Sequence, residues 1–136
     1  MSPRSLIIVT AVALATLVVG SQPAQAQDRF DFKIPFSFVA AGKTFPAGSY
    51  SFLVNQPNRD LVVLESNEPK TSSAALPVET RISTYQSLKE AELVFDKVEN
   101  QSIVSELLVP GEDGYLLRAT SGAHTHTAVK GSRAKK

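Results

Sequence analysis

Cysteine and tryptophan are absent from this chain, methionine occurs once, and histidine occurs only twice. Without thiols, no disulfide can restrain the unfolded chain, and zinc centres built on thiolates are excluded. Stability must therefore come from apolar burial. Charge of one sign is lacking too. The formal net charge is +1, so the broadly basic surface of a nucleic-acid binder is missing, and no such partner is expected. There is no Gly-x-Ser-x-Gly elbow, no phosphate-cradling glycine loop and, beyond Ala26, no apolar segment of useful length at helical spacing.

What is present begins at the N-terminus. Met1–Arg4 is short and positive, Leu6–Val19 carries no charge, and Ala24-Gln25-Ala26 has the small-x-small pattern that signal peptidase accepts. The apolar run is shorter than the ~20 residues needed to span a bilayer as a helix. These features predict a secretory signal peptide over residues 1–26 and a protein that is periplasmic or extracellular. No cysteine follows the run, which excludes a lipoprotein anchor. The remainder suits one domain. It is read as a β-domain over residues 27–120 and a basic, flexible tail over 121–136.

Strand signals dominate the body. Phe30, Phe32, Ile34, Phe36 and Phe38 alternate with Asp31, Lys33, Pro35 and Ser37, so all the large groups point to one side of an extended chain. Pro35 lacks an N–H and predicts an edge strand or a bulge. Gly42, and Pro46 with Gly48, supply reversals. Further strands are predicted at Ser49–Asn55, Leu61–Leu64, Pro77–Tyr85, Leu93–Val98, Ile103–Val109 and Tyr115–Thr120, with Asp113-Gly114 as a hairpin turn. The spacing, roughly 8 to 12 residues per strand, predicts an all-β fold, a small antiparallel β-sandwich or barrel of about six to eight strands. Strands this short and few do not fit an outer-membrane barrel.

Chemistry-bearing residues are few. On an extended backbone His124 and His126 project to one side, and imidazoles at this spacing can share a divalent ion. A catalytic zinc site uses three protein ligands and a structural one four. The nearest acidic residues in sequence, Glu112 and Asp113, lie across the Pro110–Gly114 turn. The sequence therefore favours two solvated histidines. Glu90 and Glu92 could face one another as acid and base, but they sit in a polar run that water would solvate. Serine is plentiful, yet both possible bases lie in the predicted tail, which disfavours a hydrolase. The end of the chain, Lys130–Lys136, could touch an anionic envelope surface. The first strand could complete a neighbouring copy's sheet by strand addition.

Pro35-Phe36-Ser37-Phe38, Pro46-Ala47-Gly48-Ser49-Tyr50, Leu93-Val94-Phe95 and the segment Pro110–Leu117 together resemble a family of small exported β-rich bacterial proteins of acidobacterial type. Their recurring patterns are PFxF followed by PAGxY, then LVF followed by PGxDGxLL, and some members carry a C-terminal His-x-His. The resemblance covers Phe32 to about Leu117. It implies a β-fold and export, and it implies no activity. Residues 71–92 match neither pattern. The sequence is thus read as an exported, non-catalytic β-domain protein without a cofactor, with a binding or structural role in the cell envelope. The alternative is a divalent-metal-binding protein or metal-dependent enzyme that uses His124 and His126.

Overall fold

The alternation that opens the body builds β1 (Gln27–Ile34), which buries Phe30, Phe32 and Ile34 on one face. The strand stops at Pro35, which has no N–H to continue the ladder, and the chain resumes as β2 (Phe38–Ala40). Phe36 falls in the break and is half-buried, its ring edge-on to that of Phe95 at 5.0 Å. Ala41 and Gly42, at φ 52° and 76°, form the two-residue reversal into β3 (Lys43–Phe45). Two successive positive φ values match the twist of a hairpin. The computed structural model describes residues 27–55, 60–67, 72–83 and 88–134. The predicted signal peptide, residues 56–59 and 68–71, the end of the Pro77–Tyr85 strand and Lys135–Lys136 lie outside the described residues.

Eight further strands complete the sheet: β4 (Gly48–Asn55), β5 (Leu61–Ser66), β6 (Ser73–Pro77), β7 (Thr80–Ile82), β8 (Ala91–Val98), β9 (Gln101–Leu108), β10 (Gly114–Leu116) and β11 (Thr125–Arg133). The all-β expectation holds, and among the described residues there is no helix. The strands form one 11-stranded sheet, ordered β3-β2-β9-β8-β11-β1-β4-β5-β6, with β10 and β7 branching from β9. Pairing is antiparallel except between β2 and β9. The sheet curls into a half-barrel. Segment 73–82 draws its flanks together, since β6 pairs with β5 while β7 pairs with β10. Between them Val78 N donates to Asp60 O at 2.9 Å and Glu79 N to Leu116 O at 2.8 Å.

Three local expectations are corrected. The strand predicted to start at Pro77 is not continuous: Pro77 ends β6, and β7 begins at Thr80 on a different neighbour. The reversal after β9 uses Pro110 and Gly111 rather than Asp113-Gly114. Glu112 N donates to Val109 O at 3.3 Å, and Gly111 has φ 74°, as a type II turn requires at its third residue. Pro35 does not mark an edge: β1 is paired on both sides, to β4 and β11. Strand addition through β1 has no free edge at Phe30–Phe32, where β4 and β11 occupy both sides.

The largest correction concerns residues 121–136. Thr125–Arg133 is no tail; it is a strand in the middle of the sheet, between β8 and β1. Its own side chains are too small and polar to announce a core strand. Its neighbours supply the bulk instead. The Phe32 ring lies so close over Gly131 that a Cβ there would overlap it and the Asp31 carbonyl oxygen.

The concave side is filled. Phe38 meets Phe45, Tyr50 and Phe95 at centroid distances of 5.4, 5.0 and 5.6 Å, and Phe32 meets Phe52 at 5.6 Å. Each such side chain stabilises by roughly 1.5 to 3 kcal/mol on burial. The Tyr50 hydroxyl donates to Pro46 O at 2.6 Å, so its polar end is satisfied.

Candidate metal centre

Alternation along β8 sends Leu93 and Phe95 into the core and Asp96 to the other side. A bulge shapes this stretch. Val94 pairs with Glu106 but Phe95 with Val104, which leaves Ser105 as an extra residue on β9. The Ser105 carbonyl accepts from Leu117 N and Arg118 N at 2.7 and 3.1 Å, and its hydroxyl donates to Arg118 O at 3.0 Å. Past the bulge, Asp96 is flanked by Ile103 on β9 and by His126 on β11. His126 is its direct cross-strand partner, so both side chains rise from the same face.

The two histidines close over this carboxylate. His126 Nδ1 donates to Asp96 Oδ1 at 2.8 Å, and His124 Nε2 lies 4.0 Å from Asp96 Oδ2. The imidazole rings stand edge to face, 4.9 Å apart. One ligand atom from each of Asp96, His124 and His126 falls within a mutual distance of 4.8 Å. Two donors bound at 2.0–2.1 Å in a tetrahedral shell are about 3.3 Å apart. The observed separations, 2.8 Å from His126 Nδ1 to Asp96 Oδ1 and 4.0 Å from His124 Nε2 to Asp96 Oδ2, lie on either side of that value.

The His124 tautomer suits the task, while His126 would exchange its Nδ1 proton for the ion. His124 Nδ1 is 2.8 Å from Gly122 O, a carbonyl that can only accept, so Nδ1 carries the proton and Nε2 keeps its lone pair. Metal-bound histidines are commonly fixed through their second nitrogen in this way. The turn that presents this carbonyl depends on Gly122, at φ 88°, a left-handed conformation that costs glycine little. Asp96 itself is almost fully buried, its side chain 3% accessible.

Of the residues singled out from sequence, His124 and His126 are brought together. Glu112 is not their partner: it binds the Arg133 guanidinium at 2.8 Å, and Arg133 lies about 23 Å along β11 from His126. Asp113 is exposed in the same distant loop. Glu90 lines a shallow groove with Lys89 and Arg133, which Glu92 does not line. Glu92 stands in β8 opposite Lys130. The third donor, Asp96, was invisible to spacing because it lies thirty positions from His126 and meets it only through the β8–β11 ladder. Its one local signal is a carboxylate set directly after the apolar run Leu93-Val94-Phe95.

No protein-family model, no curated protein and no solved structure matches this chain.

Proposed function

We propose that this protein is an exported, non-catalytic β-domain whose binding function is the capture of a divalent transition-metal ion by Asp96, His124 and His126. The observation that carries this reading is the buried Asp96 carboxylate beneath the two imidazoles, which turns a histidine pair into a three-donor set. Two nitrogens and one oxygen suit zinc, copper(II) or nickel, with copper(II) held most tightly by the usual order of stability. The buried negative charge would be compensated by the cation. Export is supported by the signal-like residues 1–26. A non-catalytic role is supported by the aromatic filling of the concave side. It is also supported by the buried serines, whose hydroxyls are engaged elsewhere, Ser51 with Asp31 and Ser105 with Arg118.

Calorimetric titration of the chain from Gln27 with zinc and with copper(II) tests the proposal. One ion per chain is expected, with affinity at least tenfold weaker in Asp96→Asn and lost in the His124→Ala, His126→Ala double variant, both keeping the parent's circular dichroism. Binding that the double variant retains would refute it.

A further inference from the structure

Resting on that metal reading, we infer that the ion is a cargo handed on by associative ligand exchange, with an acceptor bearing nitrogen or thiolate donors entering on the His126 side. Accessibility rises in one direction across the donors: the side chains of Asp96, His124 and His126 are 3%, 19% and 60% exposed. Asp96 forms the floor of the site. His124 is tethered through its Nδ1–H to the Gly122 carbonyl. The His126 ring has no such second anchor among the described hydrogen bonds; its Nδ1 is held by Asp96, the contact that an ion would replace. It is therefore the ligand that yields first. Three protein donors leave a tetrahedral ion one further position, and with Asp96 beneath, that position faces solvent beside His126.

A resident structural ion would look different. Such ions have closed four-ligand shells and contribute directly to folding. Here the donors lie on the face of β8 and β11 opposite to the one that contributes Leu93, Phe95 and Val129 to the core. Departure of the ion uncovers none of that packing. Nor does it strand a buried charge, because Asp96 accepts the His126 Nδ1–H at 2.8 Å. Release is thus possible without unfolding, and an incoming donor has a path to the ion before any protein ligand has left.

Stopped-flow transfer of zinc from the loaded chain to the chromophoric nitrogen chelator 4-(2-pyridylazo)resorcinol tests this. The observed rate should grow with chelator concentration, and the circular dichroism should be unchanged after transfer. His126→Ala, which opens the entry side and removes one donor, should exchange at least tenfold faster, while Ala128→Ser, farther along the same face of β11, should match the parent. A rate independent of chelator concentration, or transfer accompanied by loss of β-structure, would overturn the inference while leaving metal binding intact. Failure to retain zinc through equilibrium dialysis would instead remove the metal reading and this inference with it.

Discussion

Asp31 shows how one outward side chain on a paired strand becomes part of the fold's acid response. Partial burial pushes its carboxyl up, but this is outweighed by the hydrogen bond from Ser51 and by the hydrogen bond and charge of Arg29, so it sits below its ordinary value of 3.8. Ser51 Oγ donates at 2.6 Å and Arg29 Nε at 3.0 Å. A carboxyl with a folded pKa below its unfolded one contributes stability that is fully present above the unfolded value and is lost as pH falls through the folded value. Asp31→Asn should therefore flatten the fall in stability below about pH 4, measured as urea midpoints at pH 6 and pH 3. In the parent, an NMR titration should place the Asp31 midpoint under 3.8; a midpoint above it would contradict the assignment. Nothing near Asp31 in sequence except Arg29 announces this, because Ser51 reaches it only through the β1–β4 pairing.

At the scale of the element, β11 carries the most consequence. Its core-facing positions, Val129 and Gly131, are modest, and the strand holds its place through ladders to β8 and β1 and the rings of its neighbours. Arg133 adds a cation–π contact, its guanidinium 5.1 Å from the centre of the Phe30 ring. Gly131→Ala should destabilise by about 1 to 3 kcal/mol, as overpacking of a filled core does. The added methyl meets the Asp31 carbonyl and the Phe32 ring, neither free to withdraw. Chemical denaturation reads this directly, and an unchanged midpoint would mean that β11 can lift from β1. Because β11 also carries His126, a lifted strand would weaken metal binding at the other end. Gly131→Ala thus links core packing to the site without touching a donor.

For the whole molecule, the fold and the proposed ion are separable. The aromatic interior lies on one side of the sheet and the metal donors on the other, so the ion should add stability by mass action rather than by completing the core. At free zinc a hundredfold above the dissociation constant, about 2.7 kcal/mol of added stability is expected, seen as a rise in melting temperature that the His124→Ala, His126→Ala double variant abolishes. Export makes a separate statement about the molecule. Intact mass of protein from the envelope fraction should correspond to a chain that begins at Gln27, and a retained Met1 would refute signal cleavage.

The sequence by itself determined what local chemistry controls. Period-two alternation in Phe30–Ile34, the reversal at Gly42 and the inward Leu93 and Phe95 depend on residues within a few positions of each other, and each is legible without a partner. The same reasoning erred wherever a strand's identity depends on what lies beside it. Thr125–Arg133 reads as a tail on its own composition, yet two neighbours and a phenylalanine ring make it a central strand. The candidate site divides in the same way. His124 and His126 lie two positions apart, one just before β11 and one within it, and were visible, whereas Asp96 joins them only because β11 pairs with β8 in the register that sets it opposite His126. Side-chain direction along a strand is a local property, but which strands become neighbours is settled by burial over the whole sheet. Tertiary structure alone therefore decided that a solvent-facing histidine pair has a buried carboxylate beneath it.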